Sequence, residues 1–280
     1  MSESFPGNNR PYEPIIPGEA GFPPTAPISR TFRKTDAGVL NGIVVDSQDA
    51  ANPRNMIVAL PFSESTERRD VQLRYGAMAE GLTVRLLAVD NPGVGSGTLD
   101  KATGVALAKG DFAAVSAAQW QALDQMSSNN SDRPTELFGY SLGAPIAASL
   151  AAHAPEGVHF NRITLMESVG LAKKSPASLA MQAKKELNSW SHYKEQNPEW
   201  MLREMQSAAV ALRGVFQAAN WRYLQAMTHR TTVENLEKAA DRGSIDSDTT
   251  IVIASGALSR VSECGFNNEA ARVEGRPTDG

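Results

Sequence analysis

Ser141 stands at the centre of Gly139-Tyr140-Ser141-Leu142-Gly143, a G-x-S-x-G pattern. A serine flanked in this way suits a nucleophile at the tip of a sharp strand-to-helix turn. The turn forces the serine into an unfavourable backbone conformation, and larger flanking side chains would strike the adjacent strand and helix. Leu142 follows the nucleophile, so its backbone N–H is placed to serve as an oxyanion donor, helped by the partial positive charge of a helix start. Five residues with three fixed positions arise by chance, so the weight lies in their setting. Before them, "PTELFGY" reads as a strand; after them, "LGAPIAASLAAHA" reads as a helix of small residues. Ala144, Ala147 and Ala148 let that helix lie close to a sheet.

A serine nucleophile needs a base, and the base needs an orienting acid. The chain has four histidines: His153, His159, His192 and His229. His153 falls in the last turn of the helix after Ser141, where a polar residue caps carbonyls. His159 precedes a strand, at the end of the sheet opposite the elbow. His192 and His229 lie in a helical block that is able to overhang it.

The elements that must position these residues alternate. "SRTFRKT" and "VLNGIVVDS" read as two strands paired through Asp36-Ala37-Gly38. "NMIVALPF" (residues 55–62) suits a strand buried on both faces. A helix follows, with N-cap candidates at Ser63 and Ser65, an apolar stripe through Val71, Tyr75 and Met78, and an end near Gly81. "TVRLLAVDNPGVGSG" is a second buried strand running into a glycine-rich turn. Residues 98–126 read as helix broken near Lys109-Gly110-Asp111. "FNRITLMESVG" and "DTTIVIASG" complete the strands. Repetition of this kind implies a mostly parallel sheet with helices on both faces and its functional residues at the carboxyl ends of the strands. Residues 171–243 lack any strand pattern and form a helical insertion between two strands. Residues 1–30 hold seven of the sixteen prolines and read as an extended arm. The expected organisation is an arm (1–30), a core (31–170 and 244–280) and a helical cap (171–243).

Composition bounds the chemistry. With 280 residues, 41% of them hydrophobic, the chain supports a packed core. The net charge of −4, without a basic block, argues against nucleic acid as a partner. Cys264 is the single cysteine, so neither an intrachain disulfide nor a cysteine-held zinc is expected, and no metal site is assigned. Gly93, Gly95 and Gly97 give G-x-G-x-G without the spacing of a dinucleotide fingerprint, and no Walker sequence occurs, so no cofactor is expected. Without a signal-peptide pattern or a long apolar run, the expectation is a cytoplasmic protein with no membrane span.

With the elbow in this setting, roughly residues 30–260 resemble the α/β-hydrolase superfamily. "VDNPGVGSG" is similar to the family's turn after strand 4, in which the residue matching Asp90 is structural. The helical block matches the place of the family's cap. The resemblance implies a second oxyanion donor from the loop after strand 3, at Phe62 or Ser63 here, where the family's H-G motif is replaced by "LPFSES". It also implies the chain order Ser, acid, His. The acid position aligns with Ser259, which carries no charge; Glu263 and Glu167 are the alternatives, since some members place the acid after the preceding strand. No histidine follows Ser259. Three explanations stay open: a hydrolase scaffold that has lost catalysis, a chain truncated before the last strand, and a base from the cap or a second subunit. The polar tail "ARVEGRPTDG" reads as a finished terminus and favours the first of these over the second. The activity implied is esterase-like hydrolysis of an acyl ester through Ser141, with an apolar pocket beneath the cap for the acyl substrate. The alternative is a non-catalytic module, a pseudoenzyme used for structure or interaction. In either case the arm would join a homo-oligomer or a protein partner, and the cap would receive an apolar ligand.

Overall fold

The computed structural model describes residues 28–36, 38–48, 53–61, 64–126, 135–175, 177–179, 181–182 and 218–255. Residues 1–27 of the arm, about half of the helical block (including His192), and Phe62, Ser63, Ser259, Glu263 and Cys264 lie outside these residues, and the last three residues assigned to the arm open the first strand.

Among the described residues seven strands form one sheet: β1 (Ile28–Thr35), β2 (Gly38–Asp46), β3 (Arg54–Ala59), β4 (Val84–Val89), β5 (Thr135–Tyr140), β6 (Phe160–Met166) and β7 (Thr250–Ala254). Their order across the sheet is β1-β2-β4-β3-β5-β6-β7. β1 pairs antiparallel with β2, and β2 antiparallel with β4; every other pairing is parallel. The hairpin is the expected one, with Thr35 opposite Gly38.

Helices cover both faces. α1 (Arg69–Leu82) joins β3 to β4 and buries Val71, Tyr75 and Ala79 against Met56, Val58 and Leu86. α2 (Lys101–Ala108) and α3 (Ala113–Met126) join β4 to β5, and the break between them falls at the expected Lys109-Gly110-Asp111. α4 (Gly143–Ala152) joins β5 to β6, and its residues are buried throughout. α5 (Ala218–Ala226) and α6 (Thr231–Asp241) precede β7. α5 packs on α2, and α6 lies along α4, where Leu236 and Ala239 join the larger core with Val115, Leu123, Ile146 and Leu150.

α1 begins later than the serines suggested. Arg68 is its N-cap residue and makes no side-chain capping bond. The Ser65 hydroxyl donates to Asp90 Oδ2 at 2.7 Å and its oxygen accepts from Glu67 N–H at 3.2 Å, so it closes a short turn ahead of the helix. Among the described residues no helix is long and apolar enough to cross a membrane.

Candidate active site

Chain direction locates the crevice. β3 hands its chain to α1 on one face, whereas its neighbour β5 hands its chain to α4 on the other. The carboxyl ends of β3 and β5 therefore form a topological switch point, the place where open α/β sheets bind ligands. Ser141 stands at that place, directly after β5.

Its backbone is in the left-handed region, φ +55°. A non-glycine residue there costs about 1–2 kcal/mol and is held only by its surroundings. The surroundings are on both sides. Ser141 N–H donates to the Met166 carbonyl of β6 at 2.9 Å, and its own carbonyl accepts from Ala144 N–H at 3.1 Å. A Cβ on Gly139 would lie 2.5 Å from the Gly143 carbonyl oxygen, and one on Gly143 would strike the Ala59 carbonyl of β3. Both glycines are thus demanded by backbone contact. Leu142, buried and already right-handed helical, forms the N-cap of α4, and its N–H meets no acceptor among the described residues.

Glu167 sits beside the elbow. Tyr140 pairs with Met166 across β5 and β6, so the residues that follow them, Ser141 and Glu167, are neighbours at the carboxyl edge. Glu167 is also left-handed, φ +50°, and its N–H donates to Ala254 of β7 at 2.8 Å. Two adjacent strand ends thus carry strained non-glycine residues. The sequence singled out Glu167 through its place after a strand; its backbone strain had no local signal.

The loop after β3 is described up to Pro61 and again from Glu64, so Phe62 and Ser63, the positions expected to give an oxyanion donor, lie outside the described residues. Its flanks are anchored. Asp90, fully buried at the end of β4, accepts from Thr66 N–H at 2.6 Å, from Ser65 Oγ at 2.7 Å and from Asn41 Nδ2 at 3.3 Å. Burial pushes its carboxyl up to about 6, while the same donors pull in the opposite direction. The structural reading of Asp90 is thus met by side chains as well as by backbone.

The described histidines have partners of their own. His153 Nδ1 lies 2.9 Å from the Ser149 carbonyl one turn back in α4. His159 Nε2 lies 3.0 Å from Asp246, near the amino end of β6. His229 Nε2 is 3.3 Å from the Ala108 carbonyl at the end of α2.

A family model for the alpha/beta hydrolase fold matches residues 70–260. Among solved structures, the enol-lactonase from Burkholderia xenovorans LB400 is 12% identical with a TM-score of 0.51, covering 88% of this chain and 97% of that one. A protein assigned as a lipase from Acinetobacter baumannii AYE is 13% identical with a TM-score of 0.59, covering 88% and 80%. A bacterial membrane phospholipase A is 17% identical with a TM-score of 0.58, covering 90% and 77%. No curated protein matches the sequence. The strand order, the elbow and the family match lead to one conclusion: this chain belongs to the α/β-hydrolase-fold family.

Proposed function

We propose that the protein is a serine hydrolase of the esterase type, cleaving an acyl ester through Ser141. The observation that carries this reading is the left-handed Ser141, locked between two obligatory glycines at the switch point of the sheet. Strain of that size persists where a function requires it. Ser141 attacks the acyl carbonyl. Leu142 N–H, together with Phe62 or Ser63 N–H, holds the oxyanion, and Glu167 supplies the negative charge that orients a base. The relatives of like fold are named as a lactonase, a lipase and a phospholipase, in keeping with the acyl-ester class; at 12–17% identity they carry the fold alone.

The partners of His153, His159 and His229 favour a second reading, a hydrolase scaffold used for binding or assembly without turnover. A fluorophosphonate probe separates the two. Labelling of the full chain that disappears in Ser141→Ala supports the enzyme, whereas a folded protein that takes up no probe leaves the scaffold.

A further inference from the structure

The turn after β4 leads into a pair of helices whose outer face has no part in the chemistry at Ser141. α2 and α5 run in the same direction. Ahead of α2, a Cβ on Gly93 would lie 2.7 Å from Ala219 Cβ in the first turn of α5. Past the end of α5, His229 Nε2 lies 3.3 Å from the carbonyl of Ala108, the last residue of α2. Between these points the helices touch where a Cβ on Gly104 would lie 3.8 Å from Arg222 Cγ. A rotation of about 100° per residue then decides which side chains share a side. Val105 is one step forward from the contact along α2, and Trp221 is one step back along α5. In two parallel right-handed helices those opposite steps turn to the same side. The reverse steps reach Thr103 and Tyr223, both buried, with the Tyr223 hydroxyl donating to the Pro92 carbonyl. The core lies there, so Val105 and Trp221, 43% and 50% exposed, share the outer face.

Cations surround this pair. Lys101 and Lys109 stand four residues to either side of Val105, on the same stripe, and both are exposed. Neither forms an ion pair among the described residues. Ala102, Val105 and Ala106 line the surface between the two lysines. Arg222 donates to the neutral amide of Gln225 at 3.2 Å, which leaves its charge uncompensated. Neither α2 nor α5 contains an acidic residue. The two acids that flank α2 are turned to backbone: Asp100 accepts from the N–H groups of Ala102 and Thr103, and Asp111 from that of Ala113. A chain of net charge −4 thus carries a face of the opposite sign, set with an indole and an aliphatic side chain.

We propose that the outer face of α2 and α5 is a peripheral docking surface for an anionic lipid bilayer. Trp221 and Val105 enter the headgroup layer, while Lys101, Lys109 and Arg222 meet the lipid phosphates and carboxylates. Charge argues against a second copy of the chain on this face, since two such faces would oppose cation to cation. The apolar and cationic groups are spread over two helices rather than gathered in a groove of fixed register, which favours lipid over an acidic peptide.

The test is cosedimentation of the full chain with vesicles, using Ser141→Ala so that hydrolysis does not intrude. One set of vesicles is phosphatidylcholine alone, and the other is about one third phosphatidylserine. At about 0.1 M salt the protein binds the second set only, and the binding is lost toward about 1 M. Lys101→Ala with Lys109→Ala lowers the partition coefficient about 25-fold, at about fivefold for each lysine near the surface. Trp221→Ala lowers it roughly fivefold. Lys34→Ala with Arg69→Ala, which removes exposed cations of β1 and α1, changes it by less than about twofold. Circular dichroism shows that each variant is folded; if the Lys101/Lys109 alanine pair is not, Lys101→Gln with Lys109→Gln, which keeps the stems, takes its place. Absent binding, equal binding to both vesicle sets, retained binding without Lys101 and Lys109, or equal losses from both cation pairs overturns the inference. Capture by soluble polyglutamate without vesicle binding also overturns it and gives the face to an acidic protein. None of these outcomes bears on the Ser141 reading, which the fluorophosphonate probe tests separately.

Discussion

At the scale of single residues, the elbow stores strain and the turn after β4 stores charge. Ser141→Gly removes the left-handed penalty, so it raises stability by up to about 1 kcal/mol once glycine's own backbone entropy is counted, while ending any labelling. Chemical denaturation checks this gain. Gly143→Ala has the opposite sign: its methyl meets the Ala59 carbonyl, backbone that cannot move without shifting β3. A loss of about 3 kcal/mol is expected from the same measurement. Asp90 makes stability depend on pH. Its carboxyl rises from 3.8 to about 6 on folding because it is buried. Between those values the folded state binds more protons than the unfolded one, so stability falls as pH rises. Relative to Asp90→Asn, the wild type should lose about 2 kcal/mol between about pH 4 and pH 7, at about 1.4 kcal/mol per pKa unit. Paired urea titrations across that range would expose an error of sign at once.

At the scale of elements, the helices between β6 and β7 meet the core at defined points. Tyr223 of α5 is fully buried and its hydroxyl donates to the Pro92 carbonyl at 3.1 Å, tying α5 to the turn after β4. Tyr223→Phe should cost about 1 kcal/mol, the net value of one buried hydrogen bond, and leave the packing intact. Leu236 of α6 is 1% exposed against α4, and Leu236→Ala should cost about 2–4 kcal/mol by opening a cavity. Melting temperatures of the two variants should rank in that order. Element types were readable because their signals are local: apolar runs bounded by turn residues, the break at Gly110, and small residues after Ser141. The start of α1 was not. Ser65 looks like a cap of the helix, but its oxygen takes the N–H of Glu67, two residues on, while its hydroxyl donates to Asp90, brought in by β4 from 25 positions away.

At the scale of the whole molecule, the sheet grades from centre to edge. β3 and β4 are buried almost along their length, whereas β7 alternates between partly buried and exposed. Amide hydrogen exchange should therefore be slowest in β3, β4 and β5 and fastest in β1 and β7 among the strands. Slow exchange in β7 would contradict that grading.

What the sequence determined by itself was the alternation, the class of sheet, the elbow and the resemblance carried by Gly139, Ser141 and Gly143, because turn chemistry and hydrophobic period act over a few residues. What only the tertiary structure decided was which distant groups meet: the order that sets β3 between β4 and β5, Glu167 beside Ser141, and the grip of Asp90 and Asn91 on the exit of β3. Those contacts join positions 24 to 80 residues apart along the chain, and no local pattern encodes them. They follow from strand order and register, which are settled by burying both faces of one sheet at once.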